Sequence, residues 1–192
     1  MVKYADSSVE AYLSAVASAQ VAPSAGATTA LTGAMAAALC EMVCIHTSES
    51  ETPARLADAH AELRTHRDRL LALADDDAAA VETVQTAFEA ETNADHERAA
   101  LEAATDIPLD IAETARDVAD CGVIVAADGT GNARTDAVVG VTLAQAAVVS
   151  AAAIVRDNLG LLDEGQFVKS SRRRIQAAEN DAAAAVESVT DN

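Results

Sequence analysis

Aromatic residues make up 2% of this 192-residue chain: two tyrosines, two phenylalanines and no tryptophan. Strands favour aromatic and β-branched side chains, so the shortage argues against a sheet core. Lysine is nearly missing as well, present only at Lys3 and Lys169. With 13 basic against 31 acidic residues, the formal net charge is −18. Such a surface repels phosphate backbones and anionic headgroups, so neither nucleic acid nor a membrane is an expected partner. Abundant Asp and Glu with so little lysine fit a halophilic host, whose salt screens the self-repulsion. The cysteines number three, Cys40, Cys44 and Cys121. An odd count with no secretory signal points to a reducing cytoplasm. Cys40 and Cys44 share a helix face near His46, yet no fourth metal ligand is apparent, and burial as small hydrophobes is the expected role. No metal site is expected.

What the chain has instead is alanine, about a quarter of all residues and the best helix former. The expectation is an all-α fold, a bundle of long helices in one domain over residues 1–192, with Ala-rich helices buried at its centre. Ser7-Ser8-Val9-Glu10 reads as a capping box with Ser7 as N-cap, opening a short first helix that ends before Pro23. Two runs are apolar or small almost throughout, Ala27 to Ile45 and Ala137 to Val155. Their length touches that of a bilayer span, but they lack aromatic belts and a positive flank. Buried central helices that also bury surface in a homodimer are expected instead.

Between these runs, Ser48 to Pro53 reads as a loop, and Leu56, Leu63, Leu70, Leu71 and Leu73 mark a long helix through Phe88. A turn is expected at Glu91 to Asp95, then a helix from about His96 to Thr105, continued beyond Pro108 through a kink. Asp128 to Asn132 is a glycine-rich loop, and Asp136 is positioned to cap the helix after it. Asp163-Glu164-Gly165 should stop that helix, and Ser170 or Ser171 should open the last. Arg172-Arg173-Arg174, the basic cluster, reads as solvated helix surface. His60, His66 and His96 sit among charged residues and are expected to be exposed.

Three segments gather unusual polar residues. Pro23-Ser24-Ala25-Gly26 leads into the first Ala-rich helix, where a turn leaves backbone N–H groups free to meet a ligand. It lacks the lysine and preceding strand of a phosphate loop. Asp75-Asp76-Asp77 lies inside the leucine-patterned helix. Neighbouring carboxylates can serve as a general base or simply face water, and Asp77 is the one that Leu70, Leu73 and Ala74 put in phase with the core. Gly129 to Asp136 supplies two glycines, an amide at Asn132 and a carboxylate at Asp136.

In this order, the segments resemble the cyclodeaminase domain of formiminotransferase-cyclodeaminase and the stand-alone methenyltetrahydrofolate cyclohydrolases of the same fold family. The resemblance is carried by Pro23-Ser24-Ala25-Gly26-Ala27 before Ala30 to Met35, by Leu70 to Ala78, by Ala104-Thr105-Asp106-Ile107-Pro108-Leu109-Asp110-Ile111-Ala112, by Gly131-Asn132 with Thr135-Asp136 and Gly140, and by Asn158-Leu159. It spans roughly residues 5 to 190. The family's glycine triplet survives only at Gly26, with Ser24 and Ala25 in the other two places.

The resemblance implies folate one-carbon chemistry: hydration of the cationic methenyl bridge of tetrahydrofolate to a formyl group. The alternative is closure of a formimino group with loss of ammonia. The first is favoured because no formiminotransferase domain accompanies the chain. Asp77 is implied as the acid/base or cation-stabilising carboxylate and Asp136 as a second catalytic residue that orients the ligand with Asn132. Pro23, Ser24, Ala25 and Gly26 would line the pterin or formyl end, with Asn158 beside them. A folate-type substrate is the implied small-molecule partner, and no metal or cofactor is implied. The altered turn leaves two further readings: a non-catalytic helical dimer, or a binder of another small molecule.

Overall fold

Small side chains set the spacing of the helices. A Cβ on Gly140 would come within 2.6 Å of Cys40 Sγ and 3.1 Å of the Ala36 carbonyl oxygen, so α5 crosses α2 at nearly backbone contact there. In the computed structural model, which describes residues 3–47, 53–89 and 94–191, six α-helices follow in chain order. They are α1 (Val9–Val16), α2 (Ala25–His46), α3 (Ala54–Glu89), α4 (Ala94–Asp128), α5 (Arg134–Gly160) and α6 (Gln166–Thr190). No strand occurs among the described residues, and the expected all-α bundle is what forms.

The helix α2 packs against α3, α4 and α5, and α5 packs against α2, α4 and α6. Thus both apolar runs are central. Both are also long and apolar enough to cross a membrane, but their inward faces are buried in the bundle, from Ala27, Ala30 and Ala37 on α2 to Ala144, Val148 and Ala151 on α5. The leucine stripe of α3 closes the core from one side. Leu56, Leu63, Leu70 and Leu73 are 0 or 1% exposed, and each buried side chain of this size contributes about 2 to 3 kcal/mol.

Successive helices from α2 to α6 run antiparallel. The start of α2 meets the C-terminal half of α3, where Ser24 reaches Asp77. The end of α2 meets the start of α5, where the Thr130 N–H donates to Thr47 Oγ1 at 3.0 Å. The two ends of α5 therefore belong to opposite ends of the bundle. Ion pairs lace the outside: Arg55 with Asp128, Arg69 with Asp110, Arg156 with Glu179 and Arg174 with Glu113. These are part-exposed pairs, worth little each in water.

Helix starts differ locally from those the sequence suggests. Ser8 caps α1, not Ser7: the Ala11 N–H donates to Ser8 Oγ at 3.1 Å. Asp136 does not cap α5, because a 3₁₀ turn at Gly131–Ala133 starts the spiral earlier and leaves Ala133 in the capping position. Asp136 sits in the first turn, where its charge still favours the helix dipole. The helix α6 opens at Gln166 after Gly165, ahead of Ser170 and Ser171. Arg172 and Arg174 of the basic cluster are engaged, with Glu164 and Glu113. Helix α4 runs through Pro108 as one element. The loop expected at Ser48 to Pro53 falls outside the described residues except at Pro53. The turn expected at Glu91 to Asp95 does so for Glu91 to Asn93, and Ala94 and Asp95 are already helical.

Candidate active site

Each of the three consecutive aspartates has a different fate, set by its phase on α3. Asp75 accepts the Tyr4 N–H at 2.9 Å, and Asp76 is exposed beside Arg69. Asp77 falls on the leucine face and is 7% exposed. Its Oδ2 accepts the Ser24 hydroxyl at 2.7 Å and the Ala27 N–H at 2.9 Å. Ser24 itself makes no side-chain cap of α2, so Asp77 caps that helix from across the bundle. The free N–H expected at this turn is thus answered by the protein's own carboxylate. Burial pushes the Asp77 carboxyl above the usual carboxylate range, and the bonds from Ser24 and Ala27 pull partly back.

Gly26 is what allows the approach. A Cβ there would lie 1.9 Å from Asp77 Oδ1 and 2.4 Å from its Cγ, which no side chain tolerates. The retained glycine of the turn is therefore the one under the carboxylate. Neither Ser24 nor Ala25 stands where only a glycine backbone fits: Ser24 is extended, with φ −105°, and Ala25 is the first residue of the helix.

Asp77, Ser24, Ala25 and Gly26 line a cleft of about 470 Å³, a size that suits a small organic ligand. Its other walls come from α3 (Val81, Val84, Gln85), α4 (Leu101, Ala104) and α5 (Ile154, Asn158). Pro23 is buried just behind, on the wall of a neighbouring cavity lined also by Tyr4, Tyr12 and Asp75.

Asn158 is oriented by a proline on the preceding helix, α4. Pro108 has no N–H to give the Ala104 carbonyl, one turn back on α4. That carbonyl instead accepts Asn158 Nδ2 at 3.5 Å. The Ala104-to-Pro108 spacing and Asn158 are thus one device, which reading the segments separately misses.

Two expected site residues lie elsewhere. Asn132 is exposed in the loop before α5, and Asp136 is in its first turn. From Asp136 to Asn158 the helix rises about 33 Å. Within one chain, neither shares the Asp77 cleft, because the antiparallel run of α2 and α5 puts them at the opposite end. The cysteines match their expected role on α2: Cys40 and Cys44 are buried and free, with burial pushing their thiols up to about 12 and about 11. Of the histidines, His96 is exposed while His60 and His66 are half-buried.

The fold and the cleft define an all-α bundle with a buried carboxylate at a helix start. Residues 8–177 match the family model described as formiminotransferase-cyclodeaminase, and the chain belongs to that family. It is 33% identical over 180 aligned residues to the methenyltetrahydrofolate cyclohydrolase of Methylorubrum extorquens, covering 88% of this chain and 86% of that protein. Its backbone is similar to the crystal structure of formiminotetrahydrofolate cyclodeaminase from Thermotoga maritima, with a TM-score of 0.88 and 24% identity over 97% of this chain and 96% of that one.

Proposed function

We propose that the protein hydrates methenyl-tetrahydrofolate to formyl-tetrahydrofolate. The observation that carries this reading is Asp77, a buried carboxylate at the wall of an apolar cleft with no cation paired to it in its hydrogen bonds. Such a group is suited to a ligand that brings its own positive charge. The 33% identity to a cyclohydrolase supports the same substrate class. In the reaction, water oxygen bonds the cationic bridge carbon while one water proton passes to Asp77. The formyl C=O then forms as one ring C–N bond breaks. The freed nitrogen takes the proton from Asp77, and the second water proton leaves to solvent. Asn158 orients the one-carbon end, and the Ser24-Ala25-Gly26 turn lines it.

The test is the loss of methenyl absorbance against a no-protein control, since the compound also hydrolyses unaided. A protein-dependent rate is expected. Ammonia release from formimino-tetrahydrofolate without methenyl hydrolysis would favour the second reading, the cyclodeaminase that the family name includes. Folate binding with neither reaction would indicate a retired site.

We further infer a homodimer. Leu31, Met35, Ala38, Met42 and Ile45 repeat at heptad-like spacing on the outer face of α2, with Met35 56% and Ile45 67% exposed. Val139, Ala146, Val149 and Ala153 form a like stripe on α5. A second copy covers these stripes, and antiparallel two-fold packing carries the partner's Asn132 and the partner's Asp136 towards the Asp77 end. Light scattering should give twice the 19.6 kDa chain mass. Mixing equal amounts of Asp77→Asn and Asp136→Asn subunits should restore about a quarter of wild-type turnover, because about half of the dimers are then mixed and each has one of its two sites intact. No recovery in mixed dimers would reject the shared site.

A further inference from the structure

The sequence offered Cys40, Cys44 and His46 as possible metal ligands, and the fold disperses them: both thiols point into the core and His46 is exposed. The third cysteine is in different company. Cys121, on α4, is 4% exposed and its thiol donates to Glu62 Oε2 of α3 at 3.4 Å. One turn further along α3, His66 faces the same seam. One ligand atom each from Glu62, His66 and Cys121 lies within 4.8 Å of the others.

We propose that Glu62, His66 and Cys121 bind a thiophilic divalent cation of the zinc class, bridging α3 to α4. The ligand set is the ground. One thiolate, one imidazole and one carboxylate suit zinc-like ions, while magnesium and calcium prefer all-oxygen shells. The geometry is the second ground. A tetrahedral ion with bonds of about 2.0 to 2.3 Å separates its ligand atoms by about 3.5 Å, so the set needs to close by roughly 1 Å. Glu62 is exposed and His66 half-buried, so both side chains are free to adjust, while Cys121 is fixed in the seam. Three protein ligands leave a fourth position, which water fills from the solvent side. Binding forms a metal–sulfur bond and breaks the Cys121 S–H bond, its proton passing to solvent. The ion keeps its charge and no electron moves. Asp77 lies 11 residues beyond His66, about 16 Å along α3, so the ion takes no part at the folate cleft. Its effect is to pin α3, the helix that carries Asp77, against α4.

The test is a Co²⁺ titration of the full, reduced chain, which reads the ligands directly. The wild type should take up one Co²⁺ with a sulfur-to-cobalt charge-transfer band, displaced by Zn²⁺, and Zn²⁺ should raise its Tm. Cys121→Ser should lose the band and the Tm shift, while Cys44→Ser keeps both. His66→Gln, which alters a half-buried side chain and leaves the core intact, should bind Co²⁺ at least tenfold more weakly. No charge-transfer band in the wild type at saturating Co²⁺, an unchanged band in Cys121→Ser, or unchanged affinity in His66→Gln would each overturn the proposal.

Discussion

Asp77→Asn should lower turnover of methenyl-tetrahydrofolate by about 10² to 10⁴-fold, the range for loss of a positioned proton acceptor, with little change in Tm. The two halves of this result have separate causes. Asparagine keeps a side-chain oxygen that accepts from Ser24 and Ala27, and it caps helices as well as aspartate does. What it removes is the charge and the ability to take a proton. Stability should hold or rise slightly at neutral pH. Burial raises the carboxyl pKa in the folded protein, so ionisation of Asp77 favours the unfolded state. Its contribution to stability is full below the unfolded pKa and is lost as pH rises through the folded one. The same direction sets the rate profile. Asp77 must be ionised to accept a proton, so wild-type kcat/KM should fall on the acid side at a pH above the usual carboxylate range. That limb should vanish from the residual activity of Asp77→Asn. A thermal melt and a pH–rate profile on both proteins check the argument. Turnover equal to wild type would leave Asp77 as a helix cap and nothing more.

Gly26→Ala should be nearly as damaging to activity and should also destabilise. Glycine to alanine in the first turn of a helix ordinarily helps, by reducing the freedom of the unfolded chain. Here the new Cβ would be 1.9 Å from Asp77 Oδ1, and ordinary contact requires a shift of about 1.5 Å. Moving the carboxylate that far breaks its bonds to Ser24 and Ala27. A buried carboxylate left short of donors costs about 1 to 3 kcal/mol. Displacement by more than 1 Å also costs about 10²-fold in rate. The double variant Gly26→Ala, Asp77→Asn would then be little worse in turnover than either single one, because both act through one group. A Tm that rises in Gly26→Ala, with activity kept, would contradict the close approach.

Much of this was legible in the residues. Asp77 could be singled out because Leu70, Leu73 and Ala74 fix the inward phase of α3, and the structure buries all of them with it. The two central helices followed from runs of small and apolar residues that no solvated surface would use. Helix starts were less legible. Ser7 and Ser8 are chemically the same cap, and only the backbone geometry at Ser8 decides between them. Asp136 lost its capping place to a 3₁₀ turn that the glycine loop alone does not specify. Relations between helices were least legible. Asn132, Asp136 and Asn158 flank one helix, yet only the antiparallel packing of α2 and α5 tells which end meets Asp77. The pairing of Cys121 with Glu62 needed the register of α3 on α4. The link from Pro108 to Asn158 needed a carbonyl whose missing donor is visible only once α4 is known to run unbroken.

The most direct measurement is a structure of the protein with formyl-tetrahydrofolate bound. The formyl group is expected within hydrogen-bond reach of Asp77 and against the Ser24-Ala25-Gly26 turn, with Asn158 on its other side. A folate bound away from this cleft, with Asp77 still closed on Ser24 and Ala27 alone, would contradict it.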